Sequence, residues 1–307
     1  MIRIEDIAHV RFCAPDLAEM RRFLTAFGLR TQEWADGTLY ARGTGSAPFL
    51  HATSRGEPRF AAVGFRAESI GDLERLASAE GARIEDLDAP GGGKIAVLSD
   101  PDGHRVEIVA GQAPAAPLPL PAEPAHNTAL RHPRAHMPLR LAPGPSTVMR
   151  LGHAVLEVSD FRISEAWYKS RFGFITSDEI EMAPGAAIGA FLRCDRGERL
   201  TDHHTLFLLQ SPSGARFNHA AFEVAHFDDL MCGHAHLKRD GRIPAWGVGR
   251  HILGSQIFDY WKDPWGHELE HWTDGDVFAA RDGSNKATLQ DLLAVQWGSA
   301  HPMMVGA

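Results

Sequence analysis

The run Lys262 to His271, KDPWGHELEH, holds a glutamate between two histidines in the order H-x-x-E-H. On a helix that spacing puts two imidazoles on one face, where they can grip zinc as in an inverted metalloprotease motif. Asp263-Pro264-Trp265-Gly266, however, is a turn signal, and the preceding GSQIFDYW has strand composition. A helix begun at Gly266 would also lack a leading apolar face, so the residues after it read as a strand. On a strand His267 and His271 lie about 13 Å apart, too far to share one ion. Glu270 therefore needs partners from elsewhere in the chain.

An internal repeat supplies them. IAHVRFCAPDLAEMRRFLTAFGL begins at Ile7 and LGHAVLEVSDFRISEAWYKSRFGF at Leu151. Each reads as an apolar strand carrying a histidine, then a capping aspartate, then an amphipathic helix ending near a glycine. Asp16 and Asp160 are the expected N-caps, and Gly28 and Gly173 the expected C′ residues. Further on, FAAVGFRAESIGDLERLASAEGARI (60–84) matches FNHAAFEVAHFDDLMCGHAHLKRDGRI (217–243), and SDPDGHRVEIV (99–109) matches KDPWGHELEHW (262–272). The expected organisation is a first domain over 1–111, a second over 150–275 and a tail over 276–307 that packs on the second domain. The tail contains one short amphipathic piece, ATLQDLLAVQW. Residues 112–149 are rich in proline and alanine and read either as an extended linker or as a long loop packed across one domain.

Position by position, the first copy offers His9, Ala62 and Glu107, and the second offers His153, His219 and Glu270. Two histidines and one carboxylate on separate strands leave three positions of an octahedral Fe(II) open. Only the second copy has the full set, and His9 reads as a core histidine. His234-Ala235-His236 resembles a ligand pair but falls on a predicted helix, where residues i and i+2 do not converge.

From Gly249 to Glu270 the chain reads GRHILGSQIFDYWKDPWGHELE. With both copies, this stretch resembles the type I extradiol ring-cleavage dioxygenases of the vicinal oxygen chelate superfamily, over roughly residues 4–110 and 150–275. The resemblance implies an α+β fold of two tandem domains, each built from two βαβββ modules, with a metal-free first domain. It also implies Fe(II), with Mn(II) as the alternative, held by His153, His219 and Glu270. By the same resemblance His204 is the acid–base group, on a strand face with Leu206 and Leu208, while His203 points the other way and is structural. His251 and Tyr260 would hydrogen-bond the bound diol and oxygen. Phe191 corresponds loosely to an aromatic pocket wall but reads more readily as core. Asp259 departs from the family pattern, which has an apolar residue before the tyrosine, and so bears on substrate choice. The implied reaction opens an aromatic diol beside its hydroxyls with O2, giving a muconic semialdehyde type of product. Homo-oligomers are usual among such proteins. Two other readings use the same fold: a glyoxalase-like lyase or isomerase with Zn or Ni, and a non-catalytic binding module. The first usually has glutamates where this chain has histidines, and the second lacks the ligands.

Composition narrows the setting. Of 307 residues, 44% are hydrophobic and 23% charged, as in ordinary globular proteins. A net charge of −8 without a basic stripe argues against a nucleic-acid partner. Cys13, Cys194 and Cys232 are odd in number and far apart, which points to a reducing cytoplasm rather than a disulfide framework. No apolar run of about 18 residues suggests a membrane span, and the first residues lack the pattern of a signal peptide.

Overall fold

β1 (Ile4–Ala14) runs to Asp16, whose carboxylate accepts from the backbone N–H groups of Ala18 and Glu19 at 2.9 and 3.0 Å and so starts α1 (Leu17–Ala26). These coordinates are a computed structural model and describe residues 1–302. The last five residues of the expected tail, 303–307, lie outside the described residues.

β2 (Arg30–Glu33), β3 (Leu39–Arg42) and β4 (His51–Arg55) complete a βαβββ module. A second follows with β5 (Arg59–Ala67), α2 (Ile70–Glu80), β6 (Ile84–Asp86), β7 (Lys94–Ser99) and β8 (Arg105–Ala110). Together they form one sheet in the order β2-β3-β4-β1-β5-β8-β7-β6. The second half repeats the plan with β9 (Val148–Val158), α3 (Phe161–Phe172), β10 (Ile175–Ala183), β11 (Ala186–Arg193), the short β12 (Thr201–Asp202) and β13 (Leu206–Gln210). Its second module comprises β14 (Arg216–Val224), α4 (Phe227–Arg239), β15 (Ile243–His251), β16 (Ile257–Lys262) and β17 (Glu268–Thr273). Asp160 caps α3 through Ile163 N–H at 3.0 Å, and Gly173 closes that helix at φ +69°. The fold is therefore α+β and strand-rich, with two like halves.

The halves share one continuous apolar core rather than two. Repeat-related pairs meet across it: Phe27 packs on Phe222 and Phe65 on Phe172, with ring centroids 5.6 and 5.9 Å apart. Phe60 and Phe217, which occupy the same place in the two copies, stack on each other at 4.5 Å. Each helix end thus buries its aromatic ring against the other half's sheet.

Two strands of the tail enlarge the second sheet, and a third forms a separate two-stranded ribbon with β12. β18 (Val277–Phe278) pairs with β12, β19 (Asn285–Thr288) lies parallel to β10, and β20 (Val295–Gly298) lies antiparallel to β15. The expected amphipathic piece is helical only over α5 (Leu289–Leu293), which buries no residue fully, so strand pairing is what fastens the tail. Residues 112–147 form no helix or strand. Their first part follows the first half, with Ala113, Ala115 and Leu118 donating to Gly91, Ser46 and Thr44 carbonyls. At the far end Thr147 N–H donates to Asp229 Oδ2 on α4 at 2.8 Å. Among the described residues no helix is long and apolar enough to cross a membrane, and all three cysteines are free.

Where the halves meet, Asp6 lies close to Arg150 and Asp202. Burial pushes its carboxyl up to about 6, with Arg150 opposing and Asp202 adding to the rise. An acid whose folded pKa is raised binds its proton more tightly in the folded state, so its favourable contribution is complete below about pH 3.8 and is lost as pH rises through about 6. Asp6→Asn is therefore expected to raise stability at pH 7.5 by ~1–2 kcal/mol, allowing for partial solvent screening. Thermal melts at several pH values check this, and an advantage that fails to shrink towards pH 4 would contradict it.

Candidate metal centre

His153, His219 and Glu270 come from β9, β14 and β17, which are neighbours in the second sheet. Ala221 sits opposite His153 and beside Glu270 in register, so the three side chains rise from one small area of one sheet face. Their ligand atoms all lie within 4.8 Å of one another. The Nε2 atoms of His153 and His219 each stand 3.3 Å from Glu270 Oε2. His153 and Glu270 are buried, at 2% and 0% exposure.

The donor set fits a cation. Both Glu270 oxygens and His219 Nε2 are buried without a hydrogen-bond partner, an expensive arrangement unless a positive ion meets them. The His219 tautomer follows from its neighbours. Glu157 Oε1 accepts from Asn218 Nδ2 at 2.8 Å, which turns Asn218 Oδ1 towards His219 Nδ1, also at 2.8 Å. That oxygen can only accept, so His219 carries its proton on Nδ1 and presents a lone pair at Nε2. Burial opposes charge on Glu270, yet the imidazoles of His153, His219 and His251 hold its carboxyl well below the usual range. Burial likewise lowers the pKa of His153, with Glu270 opposing. Glu270 is thus favoured as a carboxylate and His153 as a neutral imidazole, with His219 Nε2 turned towards them, an arrangement that suits a metal.

The other expected groups gather at the same place. His204 lies against His153 with ring centroids 3.9 Å apart. Tyr260 stands across from Glu270 in the β16–β17 ladder, and its hydroxyl is 3.1 Å from His251 Nε2. His251 Nε2 is itself 3.7 Å from Glu270 Oε1. Burial and the Glu270 charge push the Tyr260 phenol well above its ordinary value, so it remains a hydroxyl donor. Phe191 is buried, yet its ring faces both His203 and His204, at 5.0 and 4.8 Å, and stacks on Phe207 at 4.0 Å. It is both core and site wall.

Several sequence expectations change. His204 is not on a strand, because residues 203–205 form an irregular link between β12 and β13. Strand alternation therefore does not apply there, and His203 does not point away: its Nδ1 is 3.1 Å from His204 Nδ1. Burial, with His153 and His203 nearby, pushes the His204 pKa well below the ordinary imidazole value. Asp259 turns from the site, accepting from Trp261 Nε1 at 2.6 Å and facing His234 Nδ1 at 3.0 Å. Alternation along β16 sends 258 and 260 one way and 259 and 261 the other, which removes Asp259 from substrate choice. His234 thus has a structural partner on α4. In the H-x-x-E-H run, His267 faces Asp263 and His271 stacks on Phe27, its Nε2 2.7 Å from the Phe27 carbonyl. Only Glu270 of that motif reaches the site. Trp246, which carried no signal in the sequence, stacks on Tyr260 at 5.4 Å.

The first half shows what the same plan becomes without a full ligand set. Glu107 Oε2 meets His9 Nε2 and Arg11 Nε at 2.7 Å each, and Glu107 Oε1 meets Arg105 Nε at 2.8 Å. A guanidinium thus supplies the positive charge, over the rings of Tyr40 and Phe49 at 5.9 and 5.5 Å. Burial alone would raise the Glu107 pKa, but His9 and Arg11 hold it far below the carboxylate range. Arg11→Met is expected to cost about 1–3 kcal/mol of stability, because it strips a donor from a buried carboxylate. Metal stoichiometry should stay at one ion per chain; a second ion taken up by the variant would show that Arg11 alone had kept it out.

Residues 150–271 match the Glyoxalase/Bleomycin resistance protein/Dioxygenase superfamily. Metapyrocatechase 2 of Cupriavidus necator is 29% identical to the chain over 97% of its length and 90% of the relative's. An iron-dependent extradiol dioxygenase of Rhodococcus jostii is 24% identical over 89% of this chain and 90% of that one. Among solved structures, the Mn(II)-bound glyoxalase of Novosphingobium aromaticivorans superposes with a TM-score of 0.79 at 23% identity, covering 99% of this chain and 94% of that one.

Proposed function

With residues 150–271 forming a domain of the glyoxalase/bleomycin resistance protein/dioxygenase superfamily, we propose that the protein is an extradiol dioxygenase. It would open the ring of a catechol-type diol with O2 on a divalent iron held by His153, His219 and Glu270. The observation that carries this reading is the gathering of His204, His251 and Tyr260 around the three ligand atoms. A glyoxalase-like isomerase has no use for that trio, and a sequestering protein has no use for the ligands. The names of the Cupriavidus and Rhodococcus relatives support the same chemistry.

When bound, the iron supplies a centre on which diol and O2 can be held together and through which electrons pass between them. The protein's own side chains do the rest. Glu270, the single anion of the set, offsets part of the ion's charge and leaves the remainder to draw a diolate. His204, buried and neutral, takes a hydroxyl proton and later returns it. Tyr260 keeps its proton and its O–H serves as a hydrogen-bond donor to a diol oxygen, while His251 holds the phenol in place. Phe191 and Phe207 close one side against water, which strengthens each of these polar contacts.

The test is direct. Purified without oxygen and loaded with Fe(II), the protein should consume one O2 per diol and release a yellow ring-fission product across a panel of aromatic diols. Mn(II) loading in parallel decides between the two metals. Turnover absent with every diol and both ions would overturn the proposal, and tight diol binding by metal-free protein would favour sequestration. A homo-oligomer in the cytoplasm belongs to the same reading, and light scattering on the purified protein reads the assembly.

A further inference from the structure

His203 and Asp178 have no part in the reaction as set out so far, yet both are buried beside it, at 1% and 7% exposure. Asp178 Oδ2 lies 2.6 Å from His203 Nε2, and His203 Nδ1 lies 3.1 Å from His204 Nδ1. We propose that Asp178 and His203 are positioning residues that lock His204 in its Nδ1–H tautomer, so that Nε2 is the atom that takes the diol's proton. The proposal rests on the ring-cleavage reading and assigns the direction of its proton transfer.

The tautomer follows from the order of partners. A carboxylate only accepts, so His203 carries a proton on Nε2. With His203 singly protonated its other nitrogen is an acceptor, and His203 Nδ1 then bonds His204 only if His204 carries its own proton on Nδ1; a doubly protonated His203 would reverse the order and put the His204 proton on Nε2, the outcome that overturns the proposal below. That leaves a lone pair at His204 Nε2. When the diol O–H breaks, its proton forms an N–H bond there, and the imidazolium so made keeps its Nδ1–H on His203. The Asp178 charge lies at the end of that chain and favours the cation. Returning the proton to the ring-opened product restores the starting state.

The surroundings hold His203 still. Its backbone N–H donates to the Asp276 carbonyl at 2.9 Å, and its carbonyl accepts from Ser177 Oγ at 2.6 Å. Ser177 Oγ in turn accepts from Arg193 Nη1 at 3.0 Å, so that guanidinium serves Ser177 rather than Asp178. A register shift in the β10–β11 ladder between Thr176 and Asp178 lets both Ser177 and Asp178 face inwards, which regular alternation would forbid. A Cβ on Gly254 would come within 3.0 Å of His203 Nδ1, so the backbone itself walls the ring. A merely satisfied core histidine needs none of this alignment towards His204.

Two substitutions test the pair. His203→Phe keeps a ring against Phe191 but offers no acceptor, whereas His203→Gln restores an acceptor through its amide oxygen. In the iron-loaded enzyme, His203→Phe should keep its metal and KM and lose kcat on the order of 10- to 100-fold, the usual cost of removing an orienting partner. His203→Gln should recover part of that loss. In the Zn(II)-loaded chain, 15N spectra of labelled histidines should show His204 protonated on Nδ1 and bare on Nε2 in the wild type, and a tautomer mixture in His203→Phe. A wild-type His204 protonated on Nε2, an unchanged kcat in His203→Phe, or loss of metal in both variants would overturn the proposal. The spectra read the tautomer without turnover, so a wild type inactive on every diol would sink the ring-cleavage reading alone.

Discussion

Glu270→Ala is expected to bind no iron after desalting and to lose ring cleavage to background. The carboxylate is the only anion among the three ligands, and two neutral imidazoles alone hold a divalent ion weakly. The paired melts separate this result from general misfolding: the variant should still unfold cooperatively, and iron should raise the melting temperature of the wild type and leave the variant unmoved. Metal analysis, oxygen uptake and paired melts with and without Fe(II) read all three quantities. Full iron retention in Glu270→Ala or in His219→Ala would place the site elsewhere.

His204→Phe should separate chemistry from binding. The imidazole contacts His153 through its ring face and is not among the three ligands, so an aromatic replacement keeps the packing and the metal. What it removes is the proton carrier, typically worth ~10²–10⁴ in rate. Single-turnover measurements under air should therefore show the diol binding with near-normal affinity and the ring opening slowly. Loss of iron in this variant would mean that His204 supports the metal directly, and an unchanged rate would hand its role to another group.

The legibility of these residues in the sequence followed the regularity of the backbone around them. His153, His219 and Glu270 each lie within a strand, and the repeat fixes their register because the D-P-x-G turns of the two copies align. The strand reading of 267–272 likewise rests on the Asp263–Gly266 turn, the strand composition of the run before it and the lack of a leading apolar face for a helix, and it sends Glu270 and His271 to opposite faces without further information. Ala62 marked the first copy as incomplete, although nothing in the chain announced that Arg11 would supply the missing charge.

The sequence alone determined the twofold βαβββ plan, and it singled out three side chains, His153, His219 and Glu270, that the fold brings within 4.8 Å of one another. Short-range rules of turn, cap and period act on neighbours, and two aligned copies multiply that signal. Tertiary structure decided the aim of His203 towards His204, the turning of Asp259 to α4, the arrival of Asp178 across a register shift and the joining of the tail strands to the second sheet. Those outcomes depend on irregular links and on partners distant in the chain, where a side chain's direction is set by what surrounds it rather than by its place in a repeat.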